Sequence, residues 1–152
     1  MRLSLPIDPL ITQIVQTVKE QDQIILTATP GAGKTTRLPP ELLKAVSGKI
    51  AILEPRRMAT VAAAQRVADE QEWKIGHEVG YQVRFESRLT KDTRLVFPTD
   101  ALLLRRLVDD PELKEFEMIV IEEVHERNLN QDLILGILKE LQELGRNIKI
   151  LV

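Results

Sequence analysis

The chain has no cysteine, few aromatic residues and no excess of either charge sign. Without cysteine it can form neither a disulfide framework nor a thiolate metal site, which agrees with a reducing compartment. Aromatic residues make up only 3%, so a platform that stacks successive nucleic-acid bases is not expected. Lys and Arg number 21 against 23 Asp and Glu, a net charge of −2. This balance excludes a globally basic coat but not a local basic groove.

Long apolar runs are also absent. None approaches the roughly 18 residues of a membrane-spanning helix, and polar residues interrupt the first twenty positions where a signal peptide would need an apolar stretch. We therefore predict a soluble, cytoplasmic protein with no membrane partner. The 152 residues, 43% hydrophobic and 29% charged, are enough for one domain with a real core, spanning 1–152.

Apolar patterns of strand and helix type alternate along the chain. The predicted helices cover about 8–21, 34–47, 58–71, 99–107 and 133–144. The predicted strands cover 24–27, 50–53, 79–85, 94–97, 118–121 and 148–152. This alternation predicts an α/β fold, a mostly parallel sheet with helices on both faces. Because the last predicted strand reaches Val152, we expect the natural protein to continue beyond it.

A glycine-rich segment reads Ala-Thr-Pro-Gly-Ala-Gly-Lys-Thr at 28–35, between a predicted strand and a predicted helix. Backbone N–H groups in such a loop cradle phosphates, Lys34 reaches the β- and γ-phosphates, and the Thr35 hydroxyl joins the Mg²⁺ shell. Ala28 stands where the full pattern has glycine. The alternative is a glycine-rich turn with an incidental lysine. The predicted nucleotide-binding residues are Thr29, Gly31, Ala32, Gly33, Lys34, Thr35 and Thr36.

Two carboxylates, Glu122 and Glu123, follow the apolar strand at 118–121. Ligands of parallel sheets bind at this carboxyl end of the strands. One carboxylate can hold Mg²⁺ together with Thr35, and the other can orient and deprotonate a water molecule. The alternative is a solvated charge run that caps the strand. The two segments together predict ATP and Mg²⁺ as cofactors, Thr35 and Glu122 as metal-side residues, and Lys34 and Glu123 as catalytic residues.

These segments, in this order, resemble the first RecA-like lobe of DEAH/DExH-type superfamily 2 RNA helicases, with the bacterial HrpB helicases as the most similar group. The resemblance covers nearly the whole chain. Residues 28–35 resemble motif I, and 122–125 (Glu-Glu-Val-His) resemble motif II. Residues 54–59 (Glu-Pro-Arg-Arg-Met-Ala) resemble motif Ia, and 99–103 (Thr-Asp-Ala-Leu-Leu) resemble motif Ib. Residues 80–86 (Gly-Tyr-Gln-Val-Arg-Phe-Glu) resemble the stretch before motif Ib.

The resemblance implies an ATP-dependent helicase lobe with a RecA-like P-loop fold, which couples ATP hydrolysis to translocation along single-stranded RNA or DNA. It implies that His125 acts with the catalytic residues by linking nucleotide state to nucleic-acid grip, and that Arg66 lies against the adenine base. The alternative for Arg66 is an ordinary exposed helix residue, and the alternative for Arg84 is an ion pair with Glu86. The predicted nucleic-acid residues are Arg56, Arg57, Arg84, Thr99 and Asp100.

The sequence departs from the family pattern at three points. Glu122 replaces the aspartate that begins motif II, Ala101 replaces a glycine of motif Ib, and the expected Ser-Ala-Thr motif would follow Val152. The resemblance also implies a second RecA-like lobe in the same polypeptide, which supplies an arginine finger. We therefore expect this lobe alone to bind nucleotide but hydrolyse it poorly. Two alternatives remain open: a nucleotide-gated RNA-binding module whose hydrolysis is weakened at Glu122, and another P-loop enzyme such as a small-molecule kinase.

Overall fold

A seven-stranded sheet, almost entirely parallel, forms the centre of the fold. The computed structural model describes residues 4–152. The strands are β1 Gln23–Ile24, β2 Lys49–Leu53, β3 Val79–Val83, β4 Glu86–Arg88, β5 Leu95–Pro98, β6 Phe116–Ile121 and β7 Lys149–Leu151. Their spatial order is β1-β7-β6-β2-β5-β3-β4, and within residues 4–152 only β4 runs antiparallel to its neighbour. The predicted mostly parallel sheet is confirmed.

Helices cover both faces of this sheet. They are α1 Ile11–Glu20, α2 Leu38–Leu42, α3 Arg57–Gln71, α4 Asp100–Asp109 and α5 Leu129–Glu143, with short 3₁₀ turns at Asp8–Leu10 and Val124–Glu126. Helix α5 starts four residues before the predicted position, because the Asn128 side chain accepts hydrogen bonds from the N–H groups of Asn130 and Gln131. In the part of the chain that the structure describes, no helix is long and apolar enough to cross a membrane.

The central strand β2 shows how the two faces are filled. Ile50 and Ile52 point into one apolar cluster, which contains the buried sides of α1, α2 and α3. Ala51 and Leu53 point the other way, into a cluster formed with α4 and α5. Because successive strand residues face opposite sides of a sheet, a strand covered on both faces is apolar throughout. The predicted coverage of both faces is confirmed.

The helix predicted directly after the glycine-rich segment is much shorter than expected. Residues 34–37 form turns, and regular helix is confined to α2. Pro39 and Pro40 lack N–H groups, so they cannot donate the helical hydrogen bonds that the carbonyls of Thr35 and Thr36 would accept. The prediction of a continuous helix to about residue 47 is therefore wrong, and the adjacent proline pair explains the difference.

A β-hairpin replaces the single strand predicted over 79–85. Strand β3 ends at Val83, residues Arg84 and Phe85 form the loop, and β4 returns antiparallel with Glu86 opposite Val83. Phe85 adopts the left-handed backbone conformation, with φ of 67°. Non-glycine residues rarely take this conformation, and the segment carries none of the usual turn residues. The hairpin could therefore not be read from local sequence.

Candidate nucleotide and nucleic-acid site

The glycine-rich loop lies at the carboxyl end of β1, on the edge of the sheet where parallel-sheet proteins bind ligands. Gly31 and Gly33 both adopt positive φ angles, 77° and 100°. A Cβ at Gly33 would lie 2.8 Å from Cδ1 of Leu5 and 3.1 Å from Cγ2 of Ile7. Backbone conformation and close packing thus both require glycine at position 33.

Lys34 and Thr35 make the polar contacts of the loop interior. The Lys34 ammonium donates a hydrogen bond to the carbonyl oxygen of Ala28, over 2.7 Å, so the lysine reaches back across its own loop. The Thr35 hydroxyl donates to Oε2 of Glu122 over 2.6 Å. Thr36 is buried, whereas Thr29 is exposed and its carbonyl accepts a hydrogen bond from the Ala32 N–H. The Thr35–Glu122 contact joins segments 87 residues apart in sequence.

Glu122 follows directly after β6 and is only 9% exposed. Burial raises its pKa from 4.5 to about 7; the Thr35 hydrogen bond opposes this shift, and the negative charges of Glu54 and Glu123 add to it. Glu54, at the end of the adjacent strand β2, is also buried, and burial raises its pKa. Three carboxyl groups therefore gather where β2 and β6 end, a concentration of negative charge suited to a cation.

The donor set at this edge fits Mg²⁺. This ion prefers oxygen ligands at about 2.1 Å in octahedral geometry, which places neighbouring ligand oxygens about 3 Å apart. The hydroxyl of Thr35 and the carboxylate of Glu122 are 2.6 Å apart, and they come from the glycine-rich loop and from the segment after β6. The spacing of these two oxygen groups is compatible with two neighbouring ligands of such an ion.

Glu123, His125 and Glu126 form a small polar group on the 3₁₀ turn after β6. The Glu123 carboxylate lies 3.2 Å from Nε2 of His125, and Glu126 pairs with Arg56 over 2.6 Å. Glu123 has a left-handed backbone, with φ of 55°. Such a conformation costs a non-glycine residue roughly 1–2 kcal/mol and is often found at functional sites. This turn directs Glu123 back toward the loop, where it lines the same depression as residues 30–36.

Arg66, on α3, lines that depression too. The depression has a volume of about 260 Å³ and also includes Leu5. Arg66 donates through Nε to Glu70 over 3.2 Å, and Glu70 pairs with Arg37 over 3.2 Å. Arg66 is exposed, as the alternative interpretation expects, but it is also beside the glycine-rich loop, as the resemblance implies.

Arg57 and Arg84 lie on the same edge of the sheet, beyond the carboxylates. The Arg84 guanidinium stacks over the ring of Phe85, 4.7 Å from its centroid. Glu86 accepts a hydrogen bond from the Tyr81 hydroxyl over 2.7 Å, which lowers the pKa of Glu86, as do the charges of Arg88 and Arg57. The contacts of Glu86 are thus with Tyr81 and Arg88 rather than Arg84. Both guanidinium groups remain exposed.

Thr99 is half-buried and Asp100 is buried. Thr99 precedes α4, and its N–H donates to the carbonyl of Gln82 over 3.1 Å. The Asp100 side chain is only 4% exposed, and its Oδ1 accepts the N–H of Ala101 over 2.7 Å. Asp100 therefore supports the start of α4 from inside, and its burial is at odds with the prediction of a side-chain contact to nucleic acid.

Sequence reasoning missed two residues at this edge, Glu54 and Phe85. Glu54 belongs to the stretch that resembles motif Ia, and its position directly after a predicted strand is the signal that places it at the same edge as Glu122. The Phe85 ring is 89% exposed, beside Arg84. The scarcity of aromatic residues argued against base stacking, but this one aromatic ring is presented to solvent within the arginine-bearing surface.

The chain is similar to known helicases in sequence. It is 38% identical over 151 residues to human "Probable ATP-dependent RNA helicase DHX34", a match that covers 99% of this chain and 13% of the relative. It is 40% identical over 148 residues to human "Probable ATP-dependent RNA helicase DHX40", covering 95% of this chain and 19% of the relative. The chain thus spans a fifth or less of the length of these relatives. No protein-family model matches it.

The fold is similar to solved helicase structures. The crystal structure of the Escherichia coli DEAH/RHA helicase HrpB superimposes with a TM-score of 0.92 at 38% identity, covering 97% of this chain and 19% of that one. A second structure, of the E. coli DExH-box NTPase HrpB, gives a TM-score of 0.93 at 37% identity. The RecA-like fold and the family resemblance expected from the motifs are therefore both confirmed.

Proposed function

We propose that this chain, which belongs with the DEAH-type helicases by sequence and fold, is their Mg·ATP-binding lobe and works within an ATP-dependent RNA helicase. The observation that carries the proposal is the hydrogen bond between Thr35 and Glu122. It brings the glycine-rich loop and the acidic segment, distant in sequence, to one edge of the sheet. Lys34 and Glu123 border the same space.

Each side chain has a distinct task in the proposed reaction. The Lys34 ammonium neutralises charge on the β- and γ-phosphates. To do so it gives up its hydrogen bond to the Ala28 carbonyl. Thr35 and Glu122 would hold Mg²⁺, which would supply charge neutralisation at the phosphates. Glu123 accepts the proton of the attacking water. Nε2 of His125 lies 3.2 Å from the Glu123 carboxylate, so a change in the charge of Glu123 acts directly on His125.

RNA follows the arginine-bearing edge in this proposal. Arg57 and Arg84 are exposed, and their planar forks suit phosphate oxygens. Arg56 pairs with Glu126 through Nη2 and is 66% exposed, so its other N–H groups can contact RNA phosphate while that pair is intact. The Thr99 hydroxyl is a further contact for RNA at this edge. Asp100 is buried at the start of α4, so its side chain does not contact RNA. Contacts to phosphate oxygens carry no base-sequence information, so binding of this kind does not depend on base sequence.

Strong hydrolysis needs a second lobe. The transition state of phosphoryl transfer carries charge on its equatorial oxygens, and an arginine finger contributes about 10³–10⁵ in rate. We propose that this arginine comes from a second RecA-like lobe of the same polypeptide, and that this chain alone binds nucleotide but turns it over slowly.

A nucleotide-gated RNA-binding module is the alternative that the experiment must distinguish from the helicase lobe. Glu122 has a longer side chain than aspartate, which would change its approach to an ion with strict octahedral geometry. That change would weaken hydrolysis while leaving nucleotide binding.

ATP hydrolysis by the natural full-length polypeptide, with and without single-stranded RNA, separates these candidates. We expect RNA-stimulated phosphate release with Glu122 present, and Glu122→Asp should change it by less than about tenfold. Glu123→Gln serves as the matched loss-of-function control, because it keeps shape and hydrogen bonding but removes the base. Turnover that appears only in Glu122→Asp would support the gated module, and no turnover in either protein would refute the helicase proposal.

A further inference from the structure

The N-terminal segment Leu5–Pro9 crosses the glycine-rich loop and is tied to it. The N–H of Ile7 donates to the carbonyl oxygen of Ala32 over 3.1 Å. The Ile7 side chain is buried in the apolar cluster that also contains α1, α2 and α3. This segment therefore contacts the crest of the loop and is anchored in the apolar core.

Leu5 is held in place by its own turn. Its N–H donates to Oδ2 of Asp8 over 2.8 Å, and the N–H of Asp8 donates to the Leu5 carbonyl over 3.0 Å. Its side chain lies so close to Gly33 that a Cβ there would be 2.8 Å from Leu5 Cδ1. Leu5 is thus a positioned side chain and not a loose terminal residue.

Leu5 lines the depression that contains residues 30–36, Arg66 and Glu123. An apolar side chain cannot satisfy phosphate oxygens, so the parts of a bound nucleotide that Leu5 can contact favourably are the base and the ribose. Arg66, which lines the same depression, carries the cation that stacks on a purine face. The depression therefore contains groups suited to both ends of a nucleotide. The backbone N–H groups of the loop and Lys34 suit the phosphates, and Leu5 and Arg66 suit the base end.

We propose that Leu5 is a nucleotide-binding residue of this chain, packing against the base or ribose, with Ile7 positioning the phosphate loop beneath it. This inference rests on the proposed function, since it assigns the occupant of the same depression. It extends the nucleotide site to a segment outside the glycine-rich and acidic motifs. It also predicts that affinity depends on an apolar contact as well as on phosphate recognition.

Calorimetric titration of the chain with Mg·ADP and with Mg·tripolyphosphate tests the proposal. Leu5→Ala should weaken Mg·ADP binding roughly three- to tenfold, because part of a leucine side chain leaves the contact. Binding of Mg·tripolyphosphate, which has no base or ribose, should stay within about twofold. Leu10→Ala is the matched control, since Leu10 is in the same region, is 49% exposed and does not line the depression.

The outcomes separate this proposal from the one on which it rests. Unchanged Mg·ADP affinity in Leu5→Ala would overturn the contact with the base end, and so would an equal loss for both ligands, which would make Leu5 a brace of the phosphate loop only. Failure of the unsubstituted chain to bind either ligand would refute both proposals. Leu5→Met, which keeps an apolar side chain of similar size, should retain most of the Mg·ADP affinity.

Discussion

Replacing Glu122 with glutamine should make the chain more stable at high pH. In the folded protein burial holds the pKa of Glu122 at about 7, against an ordinary value of 4.5. Between these values the folded state keeps a proton that the unfolded state has lost, so stability falls as pH rises through this window. The full difference corresponds to about 3 kcal/mol, an upper value that water entry and relaxation would reduce.

Urea denaturation followed by circular dichroism measures this effect. At about pH 4 the Glu122 carboxyl group is mostly protonated in the folded and the unfolded state, so Glu122→Gln and the unsubstituted chain should have nearly equal free energies of unfolding. At about pH 8 the variant should be more stable by about 2–3 kcal/mol. Glu143→Gln, at the exposed end of α5, is the control and should show little pH trend. A difference for Glu122→Gln that does not change with pH would refute the assigned burial cost.

Three further predictions follow from the site and the core. Glu123→Gln should leave Mg·ATP binding intact and lower phosphate release by the full-length protein about 10²–10⁴-fold; an unchanged rate would exclude Glu123 as the base. Phe85→Ala should weaken binding of a labelled RNA oligonucleotide by about fivefold or more, measured by fluorescence anisotropy. Leu144→Ala, at another exposed apolar residue, should not weaken it. Equal RNA affinities of Phe85→Ala and the unsubstituted chain would show that Phe85 does not contact RNA. Phe97→Ala, in the buried core, should lower the free energy of unfolding by about 3–5 kcal/mol in urea, and a loss below about 1 kcal/mol would contradict that packing.

Local sequence predicted the parts of the fold that local chemistry determines. The apolar run at 50–53 became β2 because a strand buried on both faces needs apolar residues throughout. The alanine-rich run became α3 within one residue of the predicted start. The glycine-rich loop was recognisable because Gly31 and Gly33 take backbone angles that other residues avoid.

The remaining features depend on contacts that local sequence does not contain. The hairpin at Arg84 and Phe85 forms without a typical turn residue, and its first strand, β3, also pairs with β5 on the other side. Glu54 joins the acidic group because the sheet order places β2 beside β6. The contact of Leu5 with Gly33 depends on how the N-terminal segment crosses the loop. The short α2 is different, since Pro39 and Pro40 are present in the local sequence and account for it.

Direct titration of Mg·ATP into the chain tests the central claim that residues 28–35 form a nucleotide site with Glu122 and Glu123. We predict saturable binding with one site per chain, and at least tenfold weaker binding in Lys34→Ala, because the variant loses the ammonium that faces the phosphates. Lys139→Ala, on α5, controls for the loss of one positive charge elsewhere and should bind as the unsubstituted chain does. Equal affinity of Lys34→Ala and the unsubstituted chain, or no binding by either, would contradict the claim.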